Sequence, residues 1–301
     1  MAAAISISGL TKYYGPVLGV EDLTLEIERG EVFGFLGANG AGKTTTIRLL
    51  LDLLRPTRGS ARVLGFDCHA DSLRARRHIG YLPGEFPIYP DLTAAGYLAF
   101  LARVDGRAVV PAHLQKLLKR FDVSDVDLRR RLRDQSHGMR RKIGIVQALM
   151  TRAPVVILDE PTAGLDPIMV QAFRETIADL TRDGGVTVFL SSHVLSEVEM
   201  TCDRVGLIRG GRLVTAGTVD DLRRKSPRRV TIRFSRDVGA SVPGLPHTTV
   251  LSTTPRTWIL EVAGPTGAIV GAIASLPVED VEIEGFRLEE YVLKLYSPCE
   301  S

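Results

Sequence analysis

The 301-residue sequence is poor in cysteine: Cys68, Cys202 and Cys299 stand far apart without metal-ligand spacing, so neither a disulfide framework nor a thiolate metal site is expected. It has no uninterrupted apolar stretch of the length that a membrane-spanning helix needs. The opening MAAAISISGL lacks the basic start and long apolar segment of a secretory signal, and the chain is expected to stay in the cytoplasm. Excess charge is small, +3, and selects no nucleic-acid partner. The densest basic run, RRRLRDQSHGMRRK, has no interleaved aromatics on which bases could stack, and Asp127 and Asp134 break its field. It reads as a solvated loop and helix face with some interfacial or phosphate contacts. No internal repeat and no extended heptad region is apparent.

What the chain does have is ordinary core-forming composition, with 45% hydrophobic and 24% charged residues. ISISGL and EDLTLEI alternate apolar and polar residues as strands do, and VFGFL is an apolar strand that runs straight into the turn GANGAGKTT. TTTIRLLLDLL then has helical spacing up to Arg55 and Pro56. From about 87 to 150 the pattern is that of a helical insert, with LTAAGYLAFLARV, HLQKLLKRF and GMRRKIGIVQALM as its clearest segments. VVILD and VTVFLSS are continuous apolar runs of the kind buried parallel strands show, and Pro167 to Leu180 supplies a crossover helix between them. These alternations predict an α/β core with a mostly parallel sheet. Near Ser226 the character changes: VTIRF, TWILEV and VEIEGF read as strands, TGAIVGAIASL and LEEYVLKLY as helices. The division expected is 1–227 for the core and 228–301 for a small α+β domain.

Residues 37–44 satisfy G-x-x-x-x-G-K-[ST] between a strand and a helix. Gly37, Gly40 and Gly42 let the backbone wrap closely around phosphate oxygens, and Asn39 belongs to the same turn. Lys43 is expected to span the β and γ phosphates, Thr44 to bind Mg²⁺ through its hydroxyl, and Thr45 to add a further contact. VVILDEP places Asp159 and Glu160 at the end of a buried strand, where an open parallel sheet has its crevice. Asp159 fits a support for Mg²⁺, and Glu160 a group that orients and polarises water. His193, at the end of the next strand, can hold Glu160 and the water in register.

GANGAGKT, QSHGMRRK, VVILDEP, AGLDP and SSH follow one another as they do in the ATP-binding cassette family. Over almost its whole length the chain resembles the nucleotide-binding subunits of ABC transporters. The resemblance implies a P-loop NTPase core of ABC type, with an antiparallel β subdomain, a helical insert and a small C-terminal α+β domain. It implies ATP and Mg²⁺, and a second cassette facing the first, so that Ser136 and Gly138 of one copy cap the γ phosphate held by the other. Asp166 is then placed at the interface, and Tyr14, immediately before Gly15, stacks on adenine with Tyr13 as its competitor. The trailing domain, YLPGE and LEEYVLKLY resemble cassettes of drug and antibiotic exporters. Their order of events is ATP-driven closure, hydrolysis and reopening, coupled at the cytoplasmic face of the membrane to a separate multispanning permease.

Two departures from the family stand out. The usual Leu-Ser-Gly-Gly-Gln is here Gln135, Ser136, His137, Gly138 and Met139, with a side chain at 137 where the family often has none. The glutamine that the family often carries after the loop proline is here Gly84, so either Glu85 supplies an oxygen to Mg²⁺ or a water does. Phe86, Ile88, Tyr89 and Leu92 form the expected groove for a permease helix, or else pack onto the insert. Two other readings stay open at this stage: a soluble cassette ATPase acting on ribosomes or DNA, and a nonhydrolytic ATP-binding regulator.

Overall fold

The first strand runs beyond ISISGL: β1 covers Ile5–Tyr14 and pairs antiparallel with β2, Val17–Ile27, from Ile5 opposite Ile27 to Tyr14 opposite Val17, with register shifts between Ile7 and Tyr13. The positions that alternate inward on this pair, among them Ile5, Ile7, Leu23, Leu25 and Ile27, are buried. VFGFL is β3, Val32–Leu36, buried at every residue. The helix after the glycine turn, α1, is Lys43–Leu50, shorter than its apolar spacing suggests. It stops because Asp52 turns to a φ of 53°, and the amides of Leu53 and Leu54 bond back to the carbonyl of Arg48. The chain then adds β4, Arg58–Val63, and β5, Phe66–Asp67, to complete an antiparallel sheet of order β2-β1-β4-β5.

A short α2, Ser72–Arg76, leads to β6, Ile79–Leu82. The insert contains α3, Ala94–Asp105, capped by the Thr93 hydroxyl, α4, Pro111–Arg120, and α5, Asp125–Arg129, opened by a Ser124 and Asp127 capping box. It ends in α6, His137–Leu149. Then follow β7, Val155–Asp159, the crossover helix α7, Pro167–Gly184, and β8, Thr187–Ser192. After α8, Leu195–Thr201, come β9, Arg204–Arg209, and β10, Arg212–Thr218. The second sheet has the order β10-β9-β3-β8-β7-β6, and its strands β9, β3, β8, β7 and β6 run parallel to one another. Phe33 and Phe189 stack across β3 and β8 at 6.0 Å, and Phe35 meets Phe189 at 5.4 Å. Each such ring, fully buried, contributes on the order of 1.5–3 kcal/mol by burial alone.

This computed structural model describes residues 3–85, 89–225, 228–239, 242, 247–263 and 267–284. Backbone contacts divide it into Met1–Ala216 and Gly217–Ser301, so the helix α9, Val219–Lys225, counts with the second unit and the division falls before the change of sequence character near Ser226. The second unit has strands β11, Arg228–Phe234, β12, Thr248–Thr254, β13, Thr257–Val262, and β14, Val278–Glu284, with α10, Gly267–Ile273. Its sheet, β12-β13-β11-β14, is antiparallel and buries Val230, Ile232, Phe234, Trp258, Leu260 and Val262 on one face with Ile269 and Ile273. LEEYVLKLY and Cys299 lie outside the described residues. Cys68 and Cys202 are buried and unpaired, and burial pushes the Cys68 thiol up to about 12 and that of Cys202 up as well, as inert structural thiols require.

Candidate active site

Parallel pairing decides where the polar residues emerge. Leu36 at the end of β3 lies beside Ser192 of β8, and Ser191 beside Asp159 of β7, so the segments that follow all leave the sheet on one rim. The glycine turn fits there through close approach: a β-carbon on Gly37 would lie 2.6 Å from the Ile208 carbonyl oxygen. Gly42, with a φ of 111°, caps α1, and a β-carbon there would lie 2.7 Å from the carbonyl oxygen of Gly19. The turn therefore presents the free amides of α1 to the rim.

Lys43 is 5% exposed, and its Nζ donates to the carbonyls of Gly37 at 2.6 Å and Ala38 at 3.2 Å. The same Nζ lies 3.3 Å from Glu160 Oε1, while Glu160 Oε2 meets His193 Nδ1 at 2.5 Å. The glutamate is thus held between a lysine from the phosphate turn and a histidine from the neighbouring strand end. Asp159, fully buried, accepts from Thr44 Oγ1 at Oδ2, 3.0 Å away, and from Ser191 Oγ at Oδ1. Ser191 Oγ in turn accepts from the Glu160 amide at 3.1 Å. A cavity of about 400 Å³ opens at this rim, lined by Asn39, Gly40, Gly42 and Lys43 to Thr45, and across from them by Gly84, Glu160 and His193. Its chemistry fits a magnesium nucleotide. The Thr44 hydroxyl and Asp159 carboxylate are the hard oxygen donors Mg²⁺ takes, and the lysine and turn amides suit phosphate oxygens.

The other sequence-predicted residues fall as follows. Tyr14 is 42% exposed with its hydroxyl 3.4 Å from Thr45 Oγ1, whereas the Tyr13 hydroxyl donates to Glu21 Oε1 at 3.2 Å. Gly84 lines the cavity and Glu85, exposed, does not. Ser136 and Asp166 are exposed caps, Ser136 accepting from the Met139 amide that follows in α6 and Asp166 from the Met169 amide in α7. Neither Ser136 nor Gly138 lines the phosphate cavity of its own chain. The His137 ring lies against Gly164 of the AGLDP turn, where a β-carbon would come within 2.8 Å of its Cδ2. Tyr89, half exposed, packs on Tyr97 and Phe100 of α3 at ring distances of 6.0 and 5.5 Å, while Phe86 and Ile88 lie outside the described residues.

The basic run needs one correction. Arg141 is not on a solvated face: it is 3% exposed, and its guanidinium points inward to carbonyls of two other segments. Nε donates to Pro161 O at 3.1 Å, Nη1 to Pro83 O at 2.9 Å and Gly84 O at 3.1 Å, and Nη2 to Asp159 O at 2.7 Å and to Glu160 O. Burial holds its pKa below the ordinary arginine value, and the nearby carboxylates of Asp159 and Glu160 oppose that. Charge in sequence suggests solvent; here a cluster of strand-end carbonyls that no strand satisfies draws the cation in. Ser191 carries no signal of its own in the sequence, although it opens the SSH that ends in His193.

A family model described as ABC transporter matches residues 20–163. The chain is 34% identical to the daunorubicin resistance ATP-binding protein DrrA3 of Streptomyces coeruleorubidus, over 97% of this chain and 95% of that protein. It is 35% identical to the bacitracin transport ATP-binding protein BcrA of Bacillus licheniformis, over 78% of this chain and 76% of that protein. Among solved structures, an ATP-binding subunit of an ABC transporter aligns with a TM-score of 0.67 at 32% identity, covering 73% of this chain and 92% of that one. A bacterial ABC transporter cassette solved as a dimer aligns with a TM-score of 0.66 at 20% identity, covering 71% and 98%, which is a likeness of fold.

Proposed function

From a chain that belongs to the ABC transporter family, as an ATP-binding and ATP-hydrolysing subunit working with separate transmembrane permease subunits, we propose that two copies close over ATP to drive export of a drug or antibiotic. The observation that carries the hydrolytic reading is the Glu160 carboxylate held between Lys43 and His193 at the mouth of the phosphate cavity. In this reading Lys43 and the turn amides bind and neutralise the phosphates, and Thr44 and Asp159 hold Mg²⁺. Mg²⁺, when bound, supplies positive charge to the phosphate oxygens. Glu160 accepts a hydrogen bond from the attacking water and polarises it, and His193 keeps that carboxylate in place. Glu85 as an oxygen donor has no such support, since Gly84 faces the cavity in its stead.

Ser136 and Gly138 serve the second copy's nucleotide. Their absence from their own chain's cavity and their place at the start of α6 support this role. Antibiotic or drug export is taken from the relatives' names, bacitracin transport and daunorubicin resistance. No helix among the described residues is long and apolar enough to cross a membrane, which agrees with peripheral attachment at the cytoplasmic face through a permease. The half-exposed Tyr89 and Phe100 lie on the surface proposed for that contact. Co-purification from native membranes in mild detergent is expected to bring down a multispanning protein, with ATP hydrolysis by the complex exceeding that of the chain alone. A chain that leaves the membranes unaccompanied and hydrolyses no faster with them overturns the transport coupling.

Tyr14 is the proposed adenine platform. Stacking of one base on an aromatic contributes about 1–3 kcal/mol by alanine substitution, so Tyr14→Ala is expected to weaken ATP binding about tenfold while Tyr14→Trp preserves it. Tyr13→Phe removes only the bond to Glu21 and is expected to leave ATP binding unchanged. Equilibrium titration of a fluorescent ATP analogue measures all three, and an equal loss in the Tyr13 and Tyr14 variants would defeat the assignment.

A further inference from the structure

The Glu160 backbone has a φ of 51°, in the left-handed region that a residue with a β-carbon enters rarely and must be held in by its surroundings. Its amide donates to Ser191 O at 3.2 Å and Ser191 Oγ at 3.1 Å, its carbonyl accepts from the Ala163 amide at 3.2 Å, and beside these bonds one side chain grips the turn. The guanidinium of Arg141 has five N–H groups, and its contacts are the carbonyls of Asp159, Glu160 and Pro161 on one side and of Pro83 and Gly84 on the other. Three consecutive carbonyls converging on one planar cation fix the direction of the peptide units on both sides of Glu160, and hence where its carboxylate starts from. The opposite edge of the same cation holds the loop whose Gly84 forms the facing wall of the cavity.

We infer that Arg141 is a positioning residue for ATP hydrolysis, setting the left-handed turn that aims Glu160 between Lys43 and His193 and clamping the Pro83–Gly84 wall to that turn. It touches none of the reacting atoms, and its effect on the rate comes through the placement of Glu160, to whose turn the Pro83–Gly84 wall is anchored. Lysine cannot replace it, because an ammonium offers three donors from one point where the guanidinium offers a flat fork reaching two segments at once. The inference rests on Glu160 as the water-polarising group.

The test is a double-mutant cycle on the full chain, with Arg141→Lys, Glu160→Gln and the pair. Arg141→Lys keeps the charge and the buried stem, and assays run below the lower of the measured melting temperatures, so that unfolding is not counted as lost catalysis. Arg141→Gln serves in its place if the lysine variant does not fold at any assay temperature. The expected result is a kcat about 10- to 100-fold lower, as misplacement of a catalytic group by an ångström produces, with ATP affinity within about twofold. In the Glu160→Gln background the same change is expected to lower the residual rate by less than about twofold, since groups that act as a unit are not additive. An equal loss in both backgrounds, or a raised KM at unchanged kcat, overturns the inference and leaves Arg141 a packing residue. Unimpaired hydrolysis by Glu160→Gln alone instead removes the reading of the site on which it rests.

Discussion

Glu160→Gln is expected to lower ATP hydrolysis by about 10²–10³-fold while ATP binding stays within about twofold, general-base contributions being of that order. Glutamine has the shape of glutamate and presents the same difficulty to the backbone, so the change is confined to the charge at the cavity mouth. Without the carboxylate, Lys43 loses its ion-pair partner at 3.3 Å, which favours rather than opposes the lysine's contact with phosphate. His193 keeps an amide oxygen to bond to but loses the charged partner that holds its ring. Phosphate release under saturating ATP, set beside equilibrium ATP binding, separates the two effects. Hydrolysis at the wild-type rate would show that the water is activated elsewhere.

Lys43→Met is expected to abolish ATP binding at concentrations that saturate the wild type, a loss of about 100-fold or more in affinity. Two charged hydrogen bonds of about 1.5–3 kcal/mol each are at stake, and methionine keeps the length of the stem without the ammonium. The variant also frees the carbonyls of Gly37 and Ala38 that the ammonium now satisfies, so a modest fall in melting temperature should accompany the binding defect. Calorimetric titration with ATP and Mg²⁺ reads the first and a thermal melt the second. Retained binding would mean that the turn amides suffice for the phosphates.

Much of this architecture was legible in the sequence where one signal dominated. VFGFL and VVILD are uninterrupted apolar runs, and each coincides with a strand, Val32–Leu36 and Val155–Asp159, because a strand buried on both faces has no reason to alternate. The phosphate turn was legible because glycine spacing, lysine and hydroxyls all answer one ligand. Strands such as Ile79–Leu82 and Arg58–Val63 were not, being short or laced with Arg, Gly and Ser, and they exist because neighbours offer them a free edge. Arg141 was illegible for a related reason: its burial depends on carbonyls from residues 83, 84 and 159–161, which only the folded chain brings to α6. Local reading assigns a charge to water unless it can see a distant acceptor.

The turn at residue 160 also bears on which substitutions the protein can accept there. Glycine, asparagine and aspartate relax such a backbone most readily, yet each is too short to span from that turn to both Lys43 and His193 as glutamate does. A search for thermostable variants should therefore favour these three at this position and enrich for inert ATPases. Robustness and turnover pull in opposite directions at one codon, and any stabilisation campaign on this protein needs an activity screen running beside it.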